Sequence, residues 1–264
     1  MTSIQLQDNN GPFRHICGAS IINERFVITA AHCIVNVDIS KIQLVFGSTN
    51  LNMVNEKRLV KQTYVHPMNH PHYFYYDVAL LELDKPLQFG PSISPVCIPK
   101  IPATDVDSRK EHAATLTGYG KIDRYRRPGQ NQPTSSVLRQ ILMKVFSQTF
   151  CNSTRTVIDQ NGNPISESPK LPKLFQSDLL CAGYEAAVRT SCPGDSGGPL
   201  VVLDSQRLCY TQIGVLSGGG VCGSTKYNGA FTRLEDPQVL DFIYRYAFGR
   251  TILDIGRFKS DIAK

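Results

Sequence analysis

The chain has no tryptophan, only four methionines, and no Cys-x-x-Cys pair anywhere in its 264 residues. Without such pairs there is no ribbon-type zinc site and no thioredoxin-like redox motif. No run reaches the roughly 18 consecutive apolar residues that a membrane-spanning helix needs. The first twenty residues contain no apolar stretch of the kind that forms a secretory leader, so the chain reads as the mature or truncated part of a secreted protein. Repeats and low-complexity segments are also missing. The net charge is +6, but its only tight cluster is Arg124, Arg126 and Arg127 beside Pro128-Gly129. No aromatic residues interleave with a basic stripe, which argues for a solvated loop rather than a nucleic-acid partner.

What is present is a globular composition, 41% hydrophobic and 19% charged, with enough length for one large domain or two small ones. Eight cysteines, Cys17, Cys33, Cys97, Cys151, Cys181, Cys192, Cys209 and Cys222, are scattered singly, as in a secreted disulfide framework. Short apolar or alternating runs recur at 16–22, 26–30, 42–46, 78–83, 114–117, 138–145, 200–203, 211–216 and 229–232, separated by Gly, Pro, Asn and Asp. Many short strands between turn signals predict an all-β sandwich or barrel. One helix is predicted after Asp236-Pro237, where Val239, Leu240, Phe242, Ile243 and Tyr246 fall at helical spacing and Gly249 ends the run. Two polar stretches, 121–136 and 152–177, read as exposed loops.

Three short segments carry chemistry. Ser196 lies in Gly194-Asp195-Ser196-Gly197-Gly198-Pro199, where glycines allow a sharp turn and a close backbone approach to a substrate. Backbone N–H groups of such a turn can converge on a developing oxyanion. A serine hydroxyl needs a base, and the base needs an orienting group. His32, in Thr29-Ala30-Ala31-His32-Cys33, follows a strand-like run, and Asp77, in Tyr76-Asp77-Val78-Ala79-Leu80, precedes another. Each alone has a bland reading, as a glycine turn, a packed histidine or a strand-edge carboxylate. Together, in the order His, Asp, Ser, they match one chain order of the hydrolytic triad.

On those motifs and separations the chain resembles the chymotrypsin/trypsin family of serine endopeptidases, from about residue 3 to residue 247. The resemblance implies two six-stranded antiparallel β-barrels with the active site between them, and a C-terminal helix. Residues 1–247 would form the peptidase domain, with about 1–105 in the first barrel, about 106–247 in the second barrel and helix, and 248–264 as a tail. It implies that Ser196 attacks the peptide carbonyl, His32 carries the proton and Asp77 orients His32. The N–H groups of Gly194 and Ser196 would form the oxyanion hole, and Ser217 would support Asp77 and line the substrate strand. The specificity pocket would hold Thr190, six residues before Ser196, with Gly219 and Gly229 keeping its walls open. Where trypsin-like members carry an Asp, this chain has Thr190, so a large apolar or aromatic P1 residue is expected rather than Arg or Lys.

The family bridges correspond to Cys17–Cys33, Cys151–Cys181 and Cys192–Cys222; the first should contribute roughly 3 kcal/mol by constraining the unfolded chain. A further family bridge is absent as a pair, its positions holding Ala114 and Val202. Cys97 and Cys209 either bridge each other, or Cys97 ties a regulatory N-terminal chain and Cys209 is free. In the family, Asp195 would receive a new N-terminal ammonium on activation. The chain starts about ten residues too late to supply one, so a zymogen-like state is expected. The family calcium loop looks impaired at Ser48, and His66, His70 and His72, interrupted by Pro67 and Pro71, make a poor metal site; no metal or cofactor is implied. Asn152-Ser153-Thr154 is a possible glycosylation acceptor. The absent tryptophans matter twice: Tyr119 and Gly218 stand where the family commonly has Trp, and Gly218 should widen the cleft for residues preceding P1. The expected function is that of a secreted endopeptidase from a proteolytic cascade, with protein substrates and a serpin-type inhibitor as partners. A non-catalytic protease homologue acting as a scaffold, or a digestive chymotrypsin-like enzyme, are the alternatives.

Overall fold

The structure is a computed structural model that describes residues 1–8, 11–53, 56–70, 75–122, 134–154, 157–158, 164–165, 177–184, 190–219, 222 and 229–252. Six strands close the first barrel: β1 (Thr2–Gln7), β2 (Phe13–Ile21), β3 (Phe26–Thr29), β4 (Ile42–Phe46), β5 (Glu56–Val65) and β6 (Ala79–Leu83), in the order β1-β2-β3-β6-β5-β4. The order closes because β1 pairs antiparallel with both β2 and β4. Closure matters because it leaves no unpaired sheet edge.

The second barrel follows the 84–112 connection. It is built from β7 (Ala113–Gly118) and β8 (Arg139–Phe146), and later β11 (Leu179–Gly183), β12 (Pro199–Asp204), β13 (Cys209–Gly218) and β14 (Gly229–Arg233). Between these come the short helix α1 (Gln148–Thr154) and a two-stranded ribbon of β9 (Val157–Ile158) and β10 (Pro164–Ile165). The barrel order is β11-β14-β13-β12-β7-β8, closed by β8 on β11. The architecture is therefore the expected pair of six-stranded antiparallel barrels with a C-terminal helix.

Each barrel has its own core. Ile4, Val27, Ile28, Leu44, Phe46, Leu80, Leu81 and Leu83 fill the first, and Leu116, Leu200, Ile213, Leu216 and Phe231 the second. A fully buried aliphatic of this kind stabilises the fold by about 1.5–3 kcal/mol. The C-terminal helix α2 (Pro237–Phe248) follows the second barrel but buries Val239, Leu240, Phe242 and Ile243 in the first barrel's core. Asp236 caps its start, accepting from Gln238 N at 2.9 Å, and Pro237 occupies the first turn, where its missing N–H costs nothing. Gly249, at φ +62°, ends it in the left-handed conformation.

All eight cysteines are paired: Cys17–Cys33, Cys97–Cys209, Cys151–Cys181 and Cys192–Cys222. The bridge between Cys97 and Cys209 replaces the tether alternative, since Cys97 has no thiol left for a second chain. Backbone bonds flank it, from Cys97 N to Tyr210 O at 3.0 Å and from Gln212 N to Cys97 O at 2.9 Å.

Candidate active site

His32 lies in a single helical turn, Ala31–Cys33, at the end of β3, and Asp77 lies just ahead of β6, the strand that pairs with β3. Strand pairing therefore brings the two together. Asp77 is 1% exposed, and its Oδ1 accepts the His32 backbone N–H at 2.9 Å. Its Oδ2 accepts from His32 Nδ1 at 2.6 Å and from the Ser217 hydroxyl at 2.6 Å. A carboxylate only accepts, so the Nδ1 proton is fixed in that bond and Nε2 keeps its lone pair. That leaves a partly exposed imidazole nitrogen able to take a proton.

Ser217 reaches Asp77 through a register fault. Between β13 and β14, Leu216 pairs with Phe231 and Gly218 with Ala230, so Ser217 is the extra residue of a bulge. A bulge re-aims the side chain it carries, here across to the first barrel. Thr232, on β14, adds a second cross-barrel bond from its hydroxyl to Asp77 O at 2.9 Å.

Ser196 sits in the turn before β12. Its carbonyl accepts from Gly18 N at 2.7 Å, and Gly18 follows Cys17, whose bridge to Cys33 is next to His32. A Cβ on Gly197 would strike Thr29, Gly18 and Ala30 N, so only glycine lets this turn press against the end of β3. Gly194 and Gly197 have φ of +98° and +76°. Within the turn, the N–H groups of Asp195, Gly197 and Gly198 are spent on Cys192 O, Leu216 O and Asp195 O. Among the described residues, the N–H groups of Gly194 and Ser196 have no acceptor, which leaves two donors in one turn for an oxygen of a bound substrate.

Asp195 points away from Ser196 into the second barrel. Its carboxylate accepts from Gly120 N at 2.7 Å and Cys192 N at 2.9 Å, and a Cβ at Gly118 or Gly120 would run into it. Burial pushes its carboxyl above the usual range, and the two N–H groups only partly offset this. No cationic side chain among the described residues forms an ion pair with it. Tyr119, between the two glycines, donates its hydroxyl to Ser48 O at 2.5 Å, and burial raises it to about 12.

Two residues with no motif belong to the same turn. His15 Nε2 lies 2.8 Å from Gly194 O, and its Nδ1 lies 2.8 Å from the Ser3 hydroxyl. Burial holds this imidazole below its ordinary value, which favours the neutral ring. The carbonyl can only accept, so Nε2–H donates to Gly194 and Ser3 donates to Nδ1. Both are buried strand residues, Ser3 on β1 and His15 on β2. His15→Ala should leave the Gly194 carbonyl unpaired and loosen the turn that orients the Gly194 N–H. A fall in kcat of about 10- to 100-fold with a near-constant KM is expected. Steady-state kinetics on one peptide substrate would check it.

Of the pocket residues, Thr190 is half-buried and Ser191 is 7% exposed. A Cβ on Gly219 would approach Ser191 Oγ to 2.7 Å, and one on Gly229 would approach the Phe231 ring to 2.8 Å. A Cβ on Gly218 meets no atom of the described residues within 4 Å. Residues 185–189, 220–221 and 223–228, which complete this region, lie outside the described residues. So do the Arg124–Arg127 cluster, His72 and most of the 152–177 loop. Ser48 is turned into its own loop, donating to Asn50 O at 2.6 Å. His66 is packed: its Nδ1 accepts from Met68 N, and the ring is stacked on Tyr76 and meets Phe242 edge-on. The one described cluster of possible metal ligands is Cys17, His32 and Cys33, whose sulfurs are bonded to each other.

Two closed six-stranded barrels, a His–Asp pair just beyond β3 and a glycine-lined serine turn packed against the end of the same strand are the frame of a serine protease. The family described as Trypsin matches residues 1–243, and the chain belongs to the trypsin family. It is 30% identical over 250 residues to the clotting factor G beta subunit of Tachypleus tridentatus, covering 92% of this chain and 75% of that one. Serine proteinase stubble of Drosophila melanogaster is 32% identical over 236 residues, covering 87% of this chain but 27% of that protein. Transmembrane protease serine 11G of Rattus norvegicus is 29% identical over 221 residues, with 83% and 47% covered. The chain therefore spans between a quarter and three quarters of these relatives. No described helix is long and apolar enough to cross a membrane.

Proposed function

We propose that this is a secreted serine endopeptidase that cleaves proteins through an acyl-enzyme, within a zymogen of a proteolytic cascade. The observation that carries the reading is the Asp77 carboxylate, which takes three donors and leaves His32 Nε2 as the base. His32 would remove the Ser196 proton as its oxygen attacks the scissile carbonyl, then return that proton to the leaving amine. The Gly194 and Ser196 N–H groups would hold the oxyanion. Cleavage of the ester by water, with His32 again as base, would release the acyl product.

The half-buried Asp195 supports the zymogen part. A cation placed beside it would lower its carboxyl again and favour a fixed Gly194 turn, and a newly freed N-terminal ammonium is the family's cation. The relatives' names, a clotting factor subunit among them, fit a cascade with a serpin-type inhibitor and a regulatory N-terminal chain as partners.

A neutral P1 residue is favoured because Thr190, Ser191, Gly219 and Gly229 offer no carboxylate to a buried cation. Burying Arg or Lys unpaired costs about 3 kcal/mol or more, equivalent to roughly a hundredfold in kcat/KM. The empty space at Gly218 would weaken binding of the residues preceding P1. The test is a panel of peptide nitroanilides given to the activated full-length protein. Phe, Tyr and Leu at P1 should be cleaved about a hundredfold faster than Arg or Lys. Faster cleavage after Arg would sink the pocket reading, and no cleavage of any member would favour the scaffold alternative.

A further inference from the structure

Tyr76, immediately before Asp77, is held at φ +48°, a backbone conformation that L side chains rarely adopt. Every polar group of its backbone is tied. Its carbonyl accepts from Val78 N at 2.8 Å and Asn69 Nδ2 at 3.3 Å, and its N–H donates to Asp178 Oδ2 at 2.7 Å. The ring is stacked on His66 at 4.7 Å with planes 9° apart. Asp178 is the unusual member of this set. It is a carboxylate 1% exposed, it belongs to the second barrel, and the proposed chemistry does not use it.

Asp178 is itself firmly placed. It immediately precedes β11, where Leu179 pairs with Thr232 of β14. Its carbonyl accepts from Arg233 N at 2.7 Å, and the neighbouring Ser177 carbonyl accepts from Arg233 Nε at 2.7 Å. Arg233 is 2% exposed and also donates to Ala103 O at 2.8 Å. The second barrel thus grips the 76–77 dipeptide at three points: Asp178 on the N–H of Tyr76, Thr232 on the carbonyl of Asp77, and Ser217 on its carboxylate. The first and second of these fix the two ends of the backbone that aims the carboxylate at His32.

We infer that Asp178 is a positioning residue for Asp77: by clamping the Tyr76 N–H from the opposite barrel, it maintains the left-handed turn that sets the His32–Asp77 bond. This rests on the peptidase reading for its effect on rate, but not for its effect on the bond itself. Burial raises the Asp178 carboxyl, as expected of an acceptor retained in the interior despite the cost of its charge.

The test uses Asp178→Ala, Asp178→Glu and Asp178→Asn in the activated full-length protein. Kinetics with one peptide substrate are read beside the proton NMR resonance of the His32 Nδ1–H, which reports the bond to Asp77 without turnover. Asp178→Ala should lower kcat by about 10- to 100-fold with KM within about twofold, and shift or broaden the resonance. Asp178→Glu, whose acceptor is displaced by one methylene, should show the same split and carries the test if the alanine variant does not fold. Asp178→Asn keeps an acceptor oxygen and should return kcat to within about threefold of wild type. A wild-type resonance in both Asp178→Ala and Asp178→Glu would overturn the inference, as would an asparagine variant as impaired as the alanine one. A wild-type protein that shows the resonance but hydrolyses nothing would overturn the peptidase reading, leaving the clamp judged by the resonance of the variants.

Discussion

A fluorophosphonate is expected to phosphonylate Ser196 in the activated full-length protein, and Ser196→Ala is expected to take no label and to lose about six orders of magnitude in kcat. Three features make Ser196 the reactive hydroxyl. It is half-buried rather than free to tumble in solvent, since its carbonyl is pinned to Gly18 N at 2.7 Å and the next residue packs against Thr29 and Ala30. The bridge from Cys17 to Cys33 fixes that surface to the His32 turn. The unspent N–H groups of Gly194 and Ser196 offer the phosphonyl oxygen the donors that a tetrahedral intermediate would use. Alanine removes the attacking oxygen and leaves the turn intact. The remaining activity should then come only from binding and the oxyanion donors, about 10³- to 10⁴-fold over water for this kind of site. Mass spectrometry of the labelled peptide would locate the adduct. Labelling on another serine, or labelling undiminished in Ser196→Ala, would remove Ser196 from its proposed role.

The barrel strands were legible in sequence where apolar residues run or alternate between turn residues, and not where the barrel interior is polar or the strand lies exposed. β5 reads as Glu-Lys-Arg-Leu-Val-Lys-Gln-Thr-Tyr-Val, with Val60 its one buried residue, so most of its side chains are polar and face outward from the barrel wall. β1 buries Thr2, Ser3 and Gln5, and the pair Gln5–Gln43 satisfies itself inside at 2.7 Å, so its pattern looks like surface. β11, buried throughout, follows directly on the polar 152–177 stretch and ends in glycine. The helix, by contrast, carries its whole explanation locally, in Asp236, Pro237, the apolar stripe and Gly249.

The site divides along the same line. Ser196, His32 and Asp77 stand in short segments whose glycines and strand ends are visible in sequence. His15 and Asp178 act on backbone atoms far along the chain, and Ser3 acts through the His15 ring: His15 meets Gly194 across 179 positions and Asp178 meets Tyr76 across 102. No local pattern encodes a contact of that range; it exists only once both barrels have closed. Ser217 is intermediate, because its motif is visible but the bulge that turns it towards Asp77 is a property of how β13 and β14 pair.

Asp77→Asn separates orientation from mere presence of the pair, and about four orders of magnitude in kcat should be lost, the size of the corresponding change in this family. The carboxylate has two distinct oxygens here. Oδ1 faces the His32 backbone N–H at 2.9 Å, which cannot rotate away, so an amide must place its own oxygen there. The amide nitrogen is then forced into the place of Oδ2, facing His32 Nδ1 and the Ser217 hydroxyl, each 2.6 Å away. An NH₂ group donates, so His32 must accept at Nδ1 and carry its proton on Nε2. The ring then presents Ser196 with a proton instead of a lone pair, and the charge that would stabilise the imidazolium is gone as well. Ser217 can rotate its hydroxyl to accept, which keeps the buried site satisfied and the fold intact. Thermal unfolding should therefore stay within a few degrees of wild type while acylation by an activated ester nearly stops. A variant that retained acylation within tenfold of wild type would show that His32 does not depend on Asp77 for its tautomer. A variant that unfolded instead would show that the charge, rather than the bond pattern, holds the two barrels together at this point.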